Sequence, residues 1–171
     1  MSPGDVPPLT ADERAATADE RTTLAAFLDL YRGIVAKKVA GLADADARRR
    51  LVSSPTTVGG IVKHLRWVEF GWFSQLLGQR SGDNLRAHDR ASEFRFEPDE
   101  TLAGLLADYA AECERSRAVA ATHSLDAAAP HRRLGRVSLR WIYVHMIEET
   151  ARHAGHLDIL REQIDGSTGF D

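Results

Sequence analysis

The amino-acid sequence predicts an all-α protein folded as a four-helix bundle. Four long segments place apolar side chains at every third or fourth position, which is the spacing of one face of an α-helix. Polar segments that contain proline or glycine separate them. No stretch of useful length alternates apolar and polar residues as a half-buried strand does, and no internal repeat is present. Because amphipathic helices bury their apolar faces against one another, this pattern favours a bundle.

The composition is typical of a soluble globular protein. The chain has 171 residues, of which 43% are hydrophobic and 27% charged, and we expect a single domain over residues 1–171 with an irregular N-terminal arm at residues 1–18. A net charge of −3 without a long basic run argues against nucleic-acid binding. No window approaches the ~18 apolar residues of a membrane span. Cys113 is the only cysteine, which excludes an internal disulfide and favours a cytoplasmic location.

Capping residues and breaks in periodicity give the expected bounds of the helices. The four helices are predicted at Glu20 to Leu42, at Thr57 to Gly78, from an N-cap at Asp99 to Thr122, and between an N-cap at Ser138 and a C-terminal glycine at Gly166. Short helical turns are expected after Thr10 and in the segment DADARRRL. The polar segment at residues 79–98 is long for a compact domain, so we expect a crossover or a cover over a site. Residues 123–137 form the second connection.

The second helix has an expected inward stripe of Ile61, His64, Val68, Trp72 and Leu76, flanked by Leu65 and Phe73. His64 therefore points towards the core. Gly59 and Gly60 lower the local helix propensity by about 1 kcal/mol each, which indicates close packing against a neighbour.

The inward stripe of the fourth helix contains two residues that do not belong in an apolar core. The stripe is Ile142, Met146, Glu149, His153, Leu157, Leu160 and Ile164. A carboxylate that points into a core costs several kcal/mol unless it is paired or bound to a metal. Glu149 and His153 are one turn apart, so both side chains lie on the same face. With His64 from the second helix they form a set of two imidazoles and one carboxylate, which suits Zn²⁺, Ni²⁺ or Fe²⁺ with open coordination positions.

Alternatives to this metal site stay open at the level of sequence. His64 and His153 could be hydrogen-bonded core residues, and Glu149 could belong to a buried ion pair. His145 and His156 flank the stripe and could replace a ligand or orient one. Five other titratable residues have simpler interpretations. Glu69 is expected in a surface or interhelical ion pair, Cys113 as a buried inert thiol, and His88, His123 and His131 as solvated surface residues.

Three segments carry a resemblance to a known family: DERTTLAAFLDLYR, TVGGIVKHLRWVEFGWF and SLRWIYVHMIEETARHAGHLDILREQIDGSTG. They resemble the DinB-like superfamily of metal-binding four-helix bundles, and within it the mini-circle protein branch. The resemblance implies a long crossover between helices two and three and metal ligands at His64, Glu149 and His153. Glu149 stands where the wider superfamily commonly has histidine, and His156 stands where many relatives have glutamine.

The same resemblance implies a function for the site. Members include thiol-dependent transferases and isomerases, some of which use mycothiol or bacillithiol, and a homodimer is expected on family grounds. The leading hypothesis is a metal-dependent S-transferase that uses a low-molecular-weight thiol on a small-molecule substrate, in detoxification or stress response. Zn²⁺ or Ni²⁺ is the expected metal, with iron as a further option. A metal-dependent hydrolase and a non-enzymatic, dimerising stress protein are the alternatives.

Overall fold

A computed structural model of the protein describes residues 9–80 and 92–168. The helices in these ranges are α1 (Ala11–Arg14), α2 (Glu20–Val39), α3 (Asp44–Ala47), α4 (Val58–Glu69), α5 (Leu102–Ala121) and α6 (Leu139–Asp165). The all-α prediction and the four long helices are confirmed. None of the helices in the described ranges combines the length and the apolar character needed to cross a bilayer.

Several predicted helix ends are confirmed by their capping contacts. The side chains of Thr57 and Ser138 accept hydrogen bonds from the first turns of α4 and α6. Gly166 ends α6 with φ +80°, the left-handed conformation that glycine adopts without strain. The first long helix ends at Val39 rather than at Leu42, because Gly41 turns the chain with φ +76°.

The predicted N-cap of α5 at Asp99 is wrong. Thr101 caps this helix, and its hydroxyl accepts a hydrogen bond from the backbone N–H of Gly104 at 3.1 Å. The backbone N–H of Leu102 donates to the carboxylate of Asp44 at 2.8 Å. A contact with α3, distant in sequence, therefore helps to set the start of α5.

A π-helical segment, Phe70–Leu77, continues α4 up to Gly78. The deeply buried line along this helix is Ile61, Leu65, Glu69, Phe73 and Leu77. The predicted stripe was therefore displaced by about one residue, because α4 packs against α5 on one side and against α6 on the other. The buried face of α4 is therefore wider than a single line of residues. His64 and Trp72 lie on the side of this face that contacts α6.

The second connection contains a β-hairpin that the sequence did not predict. Strand β1 (Ala128–His131) pairs antiparallel with β2 (Gly135–Ser138), and Ala129 faces Val137 across the ladder. Each strand has only four residues, too few for a recognisable alternation of apolar and polar positions. Ala129 and Val137 are buried and join the apolar cluster at this end of the bundle.

Ion pairs near the helix ends show how α2 and α6 run relative to each other. Glu20 pairs with Arg140 and Lys38 with Asp158, so α2 and α6 run parallel. A third ion pair, between Arg32 and Glu69, joins the middle of α2 to the end of α4.

Helices α4 and α5 also run parallel. Near the start of both helices Lys63 pairs with Glu100, and near their ends a Cβ added at Gly78 would lie 3.1 Å from Val119. Because the two helices are parallel, the chain between them must return along the length of the bundle. This is the predicted crossover between the second and third long helices, and it is confirmed.

Within residues 9–80 and 92–168, the buried apolar residues form two clusters, one at each end of the bundle. The first gathers residues of α2, α4, α5 and α6 around Ile61, Leu65 and Leu157, and the second surrounds Phe73, Ile142 and Met146. The helical spacing of apolar residues in α2 places Phe27 with Leu24 and Tyr31 on the inward face, but Phe27 is 40% exposed. The pair of Arg32 and Glu69 lies between the helices in the interior, so the interhelical interpretation of Glu69 is the correct one.

Candidate metal centre

Two helices contribute the three side chains of the candidate metal centre. Helix α4 positions His64, and α6 positions Glu149 and His153, which are four residues apart and lie on the same face. The two helices run antiparallel, and the three side chains lie at the same level between them. These are the three residues that the sequence predicted as ligands, and the structure brings all three together.

The three side chains are within contact distance of one another. The Oε1 atom of Glu149 lies 3.2 Å from Nε2 of His64 and 3.3 Å from Nε2 of His153. The two imidazole rings meet edge to face, with their centroids 4.9 Å apart. All three ligand atoms lie within 4.8 Å of one another. One carboxylate oxygen and two ring nitrogens therefore converge on a single point.

The donor set and its spacing fit a small divalent cation. Zn²⁺ binds nitrogen and oxygen ligands at about 2.0–2.2 Å in a tetrahedron, which places neighbouring ligand atoms roughly 3.3 Å apart. The two distances to Oε1 of Glu149 agree with that spacing. The side chains of His64, Glu149 and His153 are 12%, 14% and 10% exposed, so the site is only partly covered. Catalytic zinc sites commonly have three protein ligands, with a fourth position for water or substrate.

The electrostatics of the group favour a charged carboxylate. Hydrogen bonds from His153 and His64 hold the pKa of Glu149 well below its usual value. Burial lowers the pKa of His64, but the carboxylates of Glu149 and Glu93 outweigh burial and raise that pKa above its ordinary value. In the protein without metal, a proton on His64 would therefore replace part of the charge that a cation supplies.

Residues 23–166, most of the chain, match the family described as Mycothiol-S-transferase. The chain belongs to the mycothiol-S-transferase family. This membership confirms the DinB-like superfamily that the three sequence segments resemble. No protein of curated function matches the chain in sequence. The family implies a metal-binding helical protein and suggests a small-molecule substrate, and the convergence of His64, Glu149 and His153 agrees with metal binding.

Two residues of this site were not predicted. Glu93 and Phe94 belong to the single turn of 3₁₀-helix at Ser92–Phe94, at the end of the crossover. The Oε2 atom of Glu93 lies 3.2 Å from Nδ1 of His64, and the ring of Phe94 stacks on His64 with centroids 4.1 Å apart. The length of the polar segment indicated a cover over a site. Nothing in the sequence distinguished Glu93 from the other acidic residues there.

His145 does not join the ligands. Its ring stacks on Trp141 with centroids 5.0 Å apart and meets Trp72 edge-on at 4.8 Å. Burial lowers the pKa of His145, as expected for an imidazole among indoles. His131 stacks on the other side of Trp72, so the prediction that it is a solvated surface residue is wrong.

His156 is exposed at the edge of the site. Its ring meets His153 edge-on with centroids 5.3 Å apart, and burial together with the neighbouring His153 lowers its pKa. His156 is therefore a neighbour of His153 rather than a member of the converging set. His123 is half-buried, with its Nδ1 atom 2.9 Å from the carbonyl of Val119, so it is not a fully solvated residue either. His88 lies outside the described residues.

Cys113 is a buried thiol on α5. Burial and the nearby carboxylate of Glu69 raise its pKa to about 12. Such a thiol is protonated at neutral pH and is a poor nucleophile. The prediction of a buried cysteine is confirmed.

Proposed function

We propose that this protein is a metal-dependent transferase that attaches a low-molecular-weight thiol of the mycothiol type to an electrophilic small molecule. The observation that supports the proposal most directly is the convergence of His64, Glu149 and His153 in a member of the mycothiol-S-transferase family. A role in detoxification or stress response follows from this chemistry, because an electrophile becomes harmless once a thiol has captured it.

The residues of the site suit this chemistry in charge as well as in geometry. A divalent cation held by them would keep a bound thiol sulfur deprotonated at neutral pH. Glu149 contributes one negative charge, and the two imidazoles contribute none when they bind through a neutral ring. A thiolate therefore balances the remaining positive charge. Arg152 lies 3.3 Å from Oε2 of Glu149 and leaves Oε1 facing the two histidines.

The transfer itself is a substitution at the electrophile. The thiolate sulfur forms a bond to the electrophilic carbon, the bond from that carbon to its leaving group breaks, and the leaving group departs with the electron pair. The thiol proton goes to solvent. Among the described residues, the step requires no catalytic side chain other than the three proposed ligands.

The mixed nitrogen and oxygen donor set favours Zn²⁺ or Ni²⁺, with Fe²⁺ as the third option. We further propose a cytoplasmic location, where low-molecular-weight thiols are kept reduced, and a homodimer. Light scattering on the purified chain tests the homodimer: a mass near twice that of the chain supports it, and a mass near 18.8 kDa opposes it.

Metal analysis and a thiol assay test the proposed function. Protein purified without a chelating tag should contain about one divalent cation per chain. With an alkyl halide as electrophile, it should consume mycothiol faster than the uncatalysed reaction, and His153→Ala should abolish the difference. His145→Ala is the matched control, because His145 is a histidine of the same helix outside the ligand set, and it should keep the activity.

Three results would oppose the proposal. Protein that takes up no metal would exclude it. Hydrolysis of esters or amides without added thiol would indicate a metal-dependent hydrolase. A biological activity that survives both His64→Ala and His153→Ala would indicate a non-enzymatic protein.

A further inference from the structure

We propose that Glu93 is a positioning residue for the metal centre and that it links metal binding to the docking of the crossover. The proposal concerns residues 92–97, which we call the covering segment. It rests on the proposed function in one respect, namely that a divalent cation binds between His64, Glu149 and His153.

The contact between Glu93 and His64 is on the ring nitrogen that the metal does not use. Nε2 of His64 faces Glu149, whereas Nδ1 lies 3.2 Å from the carboxylate of Glu93. A carboxylate can only accept a hydrogen bond, so this contact requires a proton on Nδ1. A neutral imidazole with that proton has a free electron pair on Nε2. Without a cation, Nε2 also carries a proton and donates to Glu149. A cation displaces that proton, and Glu93 then holds His64 in the tautomer that binds through Nε2.

The position of Glu93 suits such a role. Histidines that bind metals commonly donate their second ring N–H to a carboxylate, a carbonyl or a water, and this partner orients the ring. Glu93 is 15% exposed, and Phe94 stacks on the same imidazole from the same segment. His64 is therefore held by a hydrogen bond at its edge and by a ring on its face.

Two basic side chains of the bundle, Arg48 and Lys63, bind the backbone of the covering segment. The guanidinium of Arg48 donates to the carbonyls of Phe96 and Glu97 at 3.0 and 2.7 Å, and its central carbon lies 3.7 Å from the centre of the Phe96 ring. The ammonium of Lys63 donates to the carbonyl of Arg95 at 3.0 Å. These contacts fix the backbone on which Glu93 stands.

Two glycines of α4 make the close approach possible. A Cβ at Gly60 would lie 2.1 Å from the carbonyl oxygen of Phe94, and a Cβ at Gly59 would lie 2.2 Å from the ring of Phe96. The predicted close packing at this pair of glycines is therefore real, and its partner is the covering segment. When the covering segment docks against these glycines, Glu93 and Phe94 come into contact with His64 and orient its ring.

Coupling of this kind is reciprocal. If the docked segment strengthens metal binding, then bound metal must stabilise the docked segment by the same free energy. Amide hydrogen exchange in residues 92–97 should therefore slow when Zn²⁺ binds. Glu93 and Phe94 contact His64, and the Phe94 ring also lies 6.1 Å from the ring of His153.

The test compares Zn²⁺ affinity and His64 ring ¹⁵N spectra in the full-length wild type and three variants. Glu93→Ala should weaken Zn²⁺ binding by about 10- to 100-fold and lose the slowly exchanging Nδ1–H signal of His64. Glu93→Gln should recover part of the affinity, because the amide oxygen still accepts from Nδ1–H. Glu97→Ala is the matched control: its carboxylate lies 3.7 Å from Arg95 on the same segment, and its affinity should equal that of the wild type.

The outcomes separate this proposal from the proposed function. Wild type that binds Zn²⁺ but transfers no thiol would refute the transferase and leave the role of Glu93 standing. Equal Zn²⁺ affinity in wild type and Glu93→Ala, or coordination of His64 through Nδ1, would overturn the role of Glu93 alone. Wild type that binds no Zn²⁺ would overturn both.

Discussion

Oε1 of Glu149 lies 3.2 Å from Nε2 of His64, across the interface between α4 and α6. The two residues are 85 positions apart in the chain, so a cation bound between them cross-links the bundle. A ligand that binds only the folded state stabilises it, by about 2.7 kcal/mol at a concentration of 100 times its Kd. We therefore expect Zn²⁺ to raise the melting temperature of metal-free protein.

Variants of the four histidines near the site should divide into two groups in the same melting experiment. His64→Ala and His153→Ala should lose the Zn²⁺-induced shift, because each removes one of the three proposed ligands. His145→Ala and His156→Ala should keep it, since neither ring belongs to the converging set. A loss of the shift in His145→Ala alone would show that the ligands have been wrongly assigned.

The stability of the metal-free protein should depend on pH in a way that identifies His64. Its pKa is raised above 6.5, so the folded state holds the proton more tightly than the unfolded chain. The resulting stabilisation is complete below about pH 6.5 and is lost as the pH rises through the folded pKa. The pKa of Glu149 is lowered below 4.5, so its contribution is present above about pH 4.5 and is lost as the pH falls.

Urea unfolding in the presence of a chelator measures this dependence. Both contributions are present between about pH 4.5 and 6.5. The difference in unfolding free energy between wild type and His64→Gln should therefore be larger at pH 6 than at pH 8.5. Zn²⁺ affinity should change in the opposite direction, rising with pH, because the proton on His64 competes with the cation. A difference that is constant with pH would contradict the raised pKa.

The bundle and the convergence of His64, Glu149 and His153 could be predicted because both depend on local periodicity. Glu149 and His153 interrupt an otherwise apolar stripe, and that conflict is visible in the sequence alone. The hairpin could not be predicted, since strands as short as Ala128–His131 carry no pattern of their own and pair through the fold. Glu93 was missed for a similar reason: its partner, His64, lies 29 positions away, and only the docked covering segment brings the two together.

The ion pair of Glu69 could also be predicted only in part, because its partner is distant in sequence. The sequence predicted a surface or interhelical ion pair for Glu69 but could not identify its cationic partner. In the structure, Arg32 donates to both oxygens of Glu69 at 2.7 and 2.6 Å, with 6% and 1% of the two side chains exposed. Removing one member of a buried ion pair leaves the other charge without compensation.

We expect Glu69→Ala to lower the unfolding free energy by about 3–5 kcal/mol. The double variant Arg32→Met/Glu69→Leu should recover most of that loss, because it removes both charges and restores apolar volume. The exposed pair of Asp46 and Arg49, 3.4 Å apart, provides the control, and Asp46→Ala should cost under about 1 kcal/mol. A cost for Glu69→Ala no larger than that of the control would show that the pair is not a buried constraint.

Cys113 should be inert in the folded protein. With a pKa of about 12, its thiol is protonated at pH 8 and is also shielded from solvent. Iodoacetamide at pH 8 should leave native protein unmodified and should add one group per chain in urea, as measured by mass spectrometry. Rapid modification of native protein would place the thiol at the surface and contradict the packing of α5.

Two glycine-to-alanine substitutions should have opposite effects. Alanine removes backbone freedom from the unfolded chain and is the better helix former by about 1 kcal/mol, so it stabilises a helix wherever there is room for Cβ. Gly33 of α2 has nothing within 4 Å of an added Cβ, and Gly33→Ala should raise the unfolding free energy by up to about 1 kcal/mol. At Gly60 the added Cβ would meet the carbonyl of Phe94 at 2.1 Å, a backbone atom that cannot rotate away.

Gly60→Ala must therefore displace the covering segment, and with it Glu93 and Phe94, from His64. We expect lower stability in urea titrations and, separately, weaker Zn²⁺ binding in competition titrations, although Gly60 is not one of the three proposed ligands. Gly33→Ala should leave Zn²⁺ affinity unchanged while changing stability in the other direction. Gly60→Ala protein with the affinity of the wild type would show that the metal centre forms without the docked segment.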